Sequence, residues 1–415
     1  MKRTLVLLAL SAALAGSASA QQVTLRLIAQ STGEGNPPMT ALIDAFEKKY
    51  PNIKVNAQYF PIGTAYPQVL RTQLQSGNGP DLFYVTAGSG GQVSVLPFAD
   101  AGYVAELTRR PWAGAAVGDN YRSLYWKNNQ LYAVPLSMTP VAAVYNKDLV
   151  RELGITLPQN MNQLLQTCRT VRAKGKSLLA LAGANPQNAG LLAATLAVNN
   201  VLTSDPQWNT KRTQGRVTFA GTAAWKRSLQ SILDMKAAGC FIPGVEGADL
   251  PQAAPAMAGG QAVMFVIPTG SLSALKGINP NLNLGAIAVP GPTAALASIP
   301  VSPSDALAVN KKSRNLNAAL TFADFVATGG GDDLYAKLTG NITAQQAATG
   351  KNLPPELGNL SAVLSNRSRV FPLIQLGWSN PKVYTTLGEG VQGLLTGQST
   401  VDQVLARLDA AWNSR

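Results

Sequence analysis

The chain has 415 residues, 46% of them hydrophobic and only 13% charged, which describes a compact globular protein and excludes an intrinsically disordered one. Histidine is absent and cysteine occurs twice, which argues against zinc hydrolases, Ser-His-Asp and Cys-His enzymes and four-cysteine metal sites. The net charge of +13 is scattered along the chain with no stripe of basic and aromatic residues, so nucleic acid is not an expected partner.

The first element is an export signal. Lys2 and Arg3 precede an apolar run from Leu5 to Leu14, and small residues follow to Ala18-Ser19-Ala20. A basic tip, a short apolar core and an A-x-A end mark a cleaved secretory signal over residues 1–20, with the mature protein starting near Gln21. The run is too short to span a bilayer. No cysteine at the cleavage point offers a lipid anchor, so the expected location is the periplasm. Removing 20 of the 415 residues leaves 395, too many for one ordinary core, and two domains are expected.

Val23 to Ala29 alternates and reads as a strand. In Pro37 to Tyr50 the apolar residues Met39, Leu42, Ile43 and Phe46 recur at helical spacing, and Pro51 stops the helix. A strand at Ile53 to Tyr59, a helix from Ala65 to Ser76 and a strand from Asp81 to Val85 follow. This order signals a parallel sheet with right-handed crossovers. Leu131 to Leu136 and Val141 to Tyr145 are extended apolar pieces. A second α/β pattern then runs through a helix from Asn160 to Lys174, a strand from Leu178 to Ala182 and a helix from Asn188 to Leu202. Helices from Thr222 to Ala238 and near Leu250 to Ala258 precede strands at Ala262 to Ile267 and Leu284 to Val289. Ala306 to Val309 is extended, Asn315 to Thr328 is helical, and the remainder reads as helical, apart from a Gly/Pro-rich stretch around Gly350 to Gly358, to a last helix from Thr400 to Trp412. Cys168 and Cys240 each fall near a helix end. In an oxidising compartment they can pair; otherwise they are two small buried hydrophobes.

Several stretches in this order resemble extracellular solute-binding protein family 1, the receptors of ABC importers for sugars and related solutes. They are Phe46-Glu47-Lys48-Lys49-Tyr50-Pro51-Asn52-Ile53-Lys54-Val55, Gly79-Pro80-Asp81-Leu82-Phe83, Leu131-Tyr132-Ala133-Val134-Pro135 with Tyr145-Asn146-Lys147-Asp148-Leu149, Met257-Ala258-Gly259-Gly260-Gln261-Ala262-Val263-Met264, and Thr396-Gly397-Gln398-Ser399-Thr400-Val401. Most of these residues read as structural: Pro51 ends a helix, Asn-Lys-Asp after Tyr145 caps one, and Asp81 caps a tight turn. The resemblance implies an α/β, periplasmic-binding-protein-like two-lobe fold of type II, each lobe a mixed β-sheet flanked by helices. It places residues 21–138 and 307–345 in the N-terminal lobe and 139–306 and 346–415 in the C-terminal lobe. It implies a monomeric receptor without enzymatic activity, cofactor or metal, which holds its solute between the lobes and passes it to permease subunits.

Open α/β sheets bind ligands beyond the carboxyl ends of their strands. That rule selects Ser31, Thr32 and Glu34 after the first strand, Thr86 and Ser89 after the third, Asn185, Gln187 and Asn188 after Leu178 to Ala182, and Thr269 and Ser271 after Ala262 to Ile267. Thr139 and Asp305 lie where the chain crosses between lobes. These side chains donate and accept hydrogen bonds, as sugar hydroxyls require. Trp208, Trp378 and Tyr384 are candidates for stacking on sugar rings. Ser271-Leu272 stands where many sugar-binding members carry an aromatic residue, which argues against a maltose-like ligand. A non-sugar solute, such as a phosphorylated glycerol compound or a polyamine, is the alternative reading, with Glu34 and Asp305 available to a cation. No acidic pair is sited at strand ends as a glycosidase requires.

Overall fold

The structure, a computed structural model, describes residues 22–31, 36–61, 65–89, 91–114, 121–303, 305–328 and 330–414. The signal segment, Thr32 and Glu34 lie outside these. The strands are β1 (Val23–Ser31), β2 (Ile53–Pro61), β3 (Leu82–Val85), β4 (Trp126–Lys127), β5 (Gln130–Leu131), β6 (Val134–Pro135), β7 (Met138–Asn146), β8 (Ser177–Ala180), β9 (Ala262–Pro268), β10 (Leu284–Ile287), β11 (Ile299–Pro303), β12 (Ala306–Val309) and β13 (Val370–Phe371).

Two sheets organise the molecule, each the centre of a lobe. The first runs β2-β1-β3-β12-β6, with β1 parallel to both β2 and β3 and β12 antiparallel to β3 and β6. The second runs β13-β11-β7-β9-β8, with β10 also paired to β7. Its centre is β7, buried along its length to Tyr145 and antiparallel to β9, which is parallel to β8. β4 and β5 form a separate hairpin.

Local chemistry explains the main elements. Helix Pro37–Lys49 buries Met39, Leu42, Ile43 and Phe46, the face its spacing predicts, and the Asn36 side chain accepts the Met39 N–H at its start. Asn146 caps helix Lys147–Glu152 by accepting from Asp148 and Leu149. Asp81 accepts the Arg26 backbone N–H at 2.8 Å and the Ser313 hydroxyl, so it ties β1 to the segment after β12. Cys168, on helix Met161–Ala173, and Cys240 form a disulfide between fully buried positions.

Three expectations are corrected. The extended piece Leu131 to Leu136 is divided between the hairpin strand β5 and the sheet strand β6. The helix expected at Asn188 to Leu202 starts at Pro186, because the Asn185 side chain accepts from Gln187 and Asn188, and it widens into a π-turn over Val198–Leu202. The C-terminal third is not all helical. β13 pairs parallel to β11, matching Ile299 with Val370 and Pro300 with Phe371, contacts that no local pattern announces.

Candidate functional site

The chain passes between the two sheets three times, and the passages meet at Met138. β6 leads into β7 there, β11 leads into β12 beside it, and the chain after helix Gly331–Thr339 returns through Ile342. Met138 pairs with Pro303 of β11 and exchanges backbone hydrogen bonds with Ile342 at 2.7 and 3.0 Å. The Leu136 N–H donates to the Asp305 carbonyl at 2.8 Å. Between the passages sits Asn341, buried, whose Oδ1 accepts the Thr139 hydroxyl at 2.8 Å while its Nδ2 donates to the Ser137 hydroxyl at 3.0 Å. A Cβ on Gly270 would lie 2.6 Å from Asn341 Oδ1, so glycine lets the segment after β9 seat against this hinge.

Asp305 stands at this junction. Its side chain is half-buried and has no hydrogen bond or ion pair among the described residues, and desolvation pushes its carboxyl up to about 6. Four buried tyrosines feel its charge. The Tyr66 hydroxyl donates to the Tyr84 carbonyl at 2.7 Å, and the Tyr84 and Tyr335 hydroxyls are 2.6 Å apart. Burial first, with the Asp305 charge adding to it, holds the phenols of Tyr66, Tyr84, Tyr125 and Tyr335 above their ordinary range. All four stay neutral donors at any physiological pH.

Among the described residues, several buried polar atoms have no hydrogen-bond partner: the Tyr121 and Tyr125 hydroxyls, Trp126 Nε1, Thr269 Oγ1 and Gln375 Oε1; of these, Tyr125 feels the Asp305 charge and Thr269 follows β9 at the crossings. Each such atom costs about 1–3 kcal/mol when left unsatisfied. Buried hydroxyls without a partner, with a carboxylate that has none among the described residues, suit a ligand that carries hydroxyl groups.

The two lobes touch beyond Asp305. Gly88, two residues past the end-of-strand Thr86, has φ +75°, and a Cβ there would lie 2.5 Å from the Leu376 carbonyl oxygen of the second lobe. Leu376 belongs to the turn Ile374–Gly377 that follows the edge strand β13, and the Leu373 N–H anchors that turn to the Ser302 hydroxyl.

The residues selected from sequence divide accordingly. Asp305, Thr139 and Thr269 come together at the crossings. Ser31 ends β1. Thr86 bonds Ser94 through its hydroxyl at 3.2 Å, and Ser89 is exposed. Ser271 precedes helix Leu272–Ile278 without capping it through its side chain. Asn185 and Asn188 are corrections to a ligand role. Asn185 spends its oxygen on the helix cap and its nitrogen on Asp249, and buried Asn188 accepts the Ala182 N–H at 2.9 Å. Gln187 is exposed, and its carbonyl accepts the half-buried Tyr384 hydroxyl, whose ring lies on Gly190. Trp378 and Trp208 are corrections to a stacking role. Both are 1% exposed and pack with Phe219 and Trp225 in the core of the second lobe, where no ring face is open to a sugar. Tyr84, Tyr335, Asn341 and Gln375 were not selected; nothing in their neighbouring sequence distinguishes them from core or loop positions.

A cavity of about 580 Å³ lies beside the third crossing, lined by Lys276, Asp333, Lys337, Gly340, Asn352 and Glu356. None of the residues selected from sequence lines it.

The profile of the bacterial extracellular solute-binding protein family matches residues 29–332. The chain belongs to that family. This solute-binding protein is 24% identical over 351 residues to the multiple sugar-binding protein of Streptococcus mutans, covering 82% of this chain and 80% of that one. It is 26% identical over 364 residues to the melibiose/raffinose/stachyose-binding protein of Bacillus subtilis, covering 83% and 77%. Its fold matches apo RafE from Streptococcus pneumoniae with a TM-score of 0.77 at 20% identity, over 95% of this chain and 98% of that one. RafE in complex with raffinose superposes with a TM-score of 0.76 at 20% identity, over 94% and 99%. The solute-binding protein thus has the type II architecture of two sheet-centred lobes.

Proposed function

We propose that this protein is the receptor of an ABC importer, that it takes a sugar or oligosaccharide between its lobes, and that it hands this solute to membrane permease subunits. The observation that carries the reading is Asp305: a half-buried carboxylate without a partner among the described residues, at the junction of the crossings and near the unpartnered Tyr125 hydroxyl. An ionised carboxylate accepts two sugar hydroxyls in charge-assisted bonds. The names of the curated relatives, which specify sugars, support the same class.

The lobes in this reading are residues 21–138 with 307–345, and 139–306 with 346–415. The protein works in the periplasm after cleavage at Ala20, as a monomer, and performs no reaction on its solute. Among the sites chosen from sequence, Asp305, Thr269 and Thr86 carry the solute contacts, with Tyr125 and Gln375 added to them.

A phosphorylated glycerol compound suits this site poorly, because the Asp305 carboxylate repels an anion. A polyamine finds the carboxylate but no open aromatic face, since Tyr66, Tyr84 and Tyr125 are at most 3% exposed. Isothermal titration with melibiose, raffinose, stachyose, xylo-oligosaccharides and chito-oligosaccharides, with spermidine and glycerol phosphate alongside, tests the ranking. Mass spectrometry of solute released from freshly purified, unfolded protein completes it. Heat from no saccharide and no retained saccharide reject the sugar reading.

A further inference from the structure

Away from the crossings, the turn Ile374–Gly377 of the second lobe reaches the first at Gly88, and one side chain from elsewhere holds both of its ends. Asn209, on helix Trp208–Thr213, donates from Nδ2 to the Ile374 carbonyl at 2.8 Å. Its Oδ1 accepts from Trp378 Nε1 at 3.1 Å. The fit is close: a Cβ on Gly377 would lie 2.7 Å from Asn209 Nδ2. Trp378 in turn is locked edge-on against Phe219, with ring centroids 5.6 Å apart, and packs beside Trp225 and Trp412. The amide therefore spans the turn from a rigid aromatic core. What it presents to the first lobe is the Leu376 carbonyl, against Gly88; the adjacent Gln375 Oε1 is buried and has no hydrogen-bond partner among the described residues.

We propose that Asn209 is a positioning residue for solute capture: it fixes the shape of the turn Ile374–Gly377, so that Gln375 faces the solute and Leu376 meets Gly88 when the lobes close. The inference rests on the receptor reading above, but the clamp itself is readable without a solute. Asn209 is half-buried and lies behind the turn, so it acts only through it. Gly88 is the complementary requirement on the first lobe, since any side chain there meets the Leu376 carbonyl before the lobes reach their present separation.

Two variants separate the bonds. Asn209→Asp keeps the acceptor for Trp378 but cannot donate to Ile374, and Trp378→Phe keeps the aromatic packing and the Ile374 bond but removes the indole donor. The readouts are hydrogen exchange of the backbone amides from Gln375 to Trp378, melting temperature, and titration with whichever saccharide of the panel binds the parent protein. Faster exchange confined to the turn is expected in both variants, with melting within a few degrees of the parent and affinity weakened about tenfold, the worth of one hydrogen bond. Unchanged exchange at the turn overturns the clamp. Faster exchange with affinity within twofold of the parent overturns its role in capture. If the parent binds no saccharide, the sugar reading falls, and the exchange result alone decides whether Asn209 holds the turn. A variant that fails to fold is replaced by Gly88→Asn, which tolerates the positive φ and is expected to hold the lobes apart, read as a larger radius of gyration in solution scattering than the parent with the same solute.

Discussion

Thr139 donates its hydroxyl to Asn341 across the hinge, 2.8 Å from oxygen to oxygen, although 202 residues separate them in the chain. The amide of Asn341 also reaches Ser137, so a single buried side chain joins the first and third passages between the lobes. Hinge motion of a two-lobe receptor pivots on such few residues.

Asn341→Ala removes this tie and leaves the Thr139 hydroxyl buried. A loss of about 1–3 kcal/mol is expected in urea denaturation. Solution scattering is expected to show a broader spread of lobe separations than in the parent. An unchanged unfolding midpoint contradicts the role given to the amide.

Asp305 makes binding and stability depend on pH in opposite senses. Its carboxyl is raised to about 6 by burial, above the ordinary value of 3.8. Between those values the native protein keeps a proton that the unfolded chain has lost, so this group's contribution to stability falls as pH rises from about 4 to 6. Asp305→Asn is therefore expected to melt above the parent at pH 8 and close to it at pH 4. The tyrosines around Asp305 stay neutral throughout this range. Solute affinity is expected to strengthen as pH rises through about 6, because the ionised carboxylate is the better acceptor. Titration calorimetry at pH 5, 6 and 7 reads this, and the Asn variant is expected to show a flat, weaker profile.

The Cys168–Cys240 disulfide closes a stretch of 72 residues within the second lobe. Replacing both cysteines by serine is expected to cost about 2–4 kcal/mol. Melting of the parent with and without a reductant, beside the double variant, checks it. Reductant is expected to lower the parent's transition and leave the variant's unmoved.

Gly388 packs helix Lys382–Thr396 directly on the start of helix Pro186–Ala197. A Cβ there would lie 2.0 Å from the Pro186 carbonyl oxygen, with backbone rather than a flexible side chain in the way. Gly388→Ala is expected to destabilise by about 1–3 kcal/mol or more, as overpacking does. Gly277→Ala, with no atom within 4 Å of the added methyl, is the matched control and is expected to be neutral or slightly stabilising.

Elements legible in the sequence were those whose cause is local. Helix Pro37–Lys49 shows its buried face in Met39, Leu42, Ile43 and Phe46 because residues three and four apart share a side of a helix. β9 reads as a buried strand because it is an unbroken apolar run between turns. The family segments were legible for the same reason, since caps and helix stops are written in adjacent residues. The place of Asp305 at a crossing between the sheets was legible from the extended runs on either side of it.

The tertiary structure decided the rest, because the deciding contacts join residues with no local relation. A tryptophan in a polar segment reads equally as a stacking platform or as core, and only the rings of Phe219, Trp225 and Trp412 make Trp378 core. Asn185 and Asn188 look like ligand donors, but Asn185 caps the helix it begins and the Asn188 side chain bonds the Ala182 N–H and the Val266 carbonyl. Tyr84 meets Tyr335 across 251 residues, and Asn209 meets Trp378 across 169. Periodicity and capping extend over a few residues, so the sequence by itself determined the elements and the segments of family likeness. Which buried polar groups are left without partners depends on how the two sheets close on each other, and that is a property of the folded chain alone.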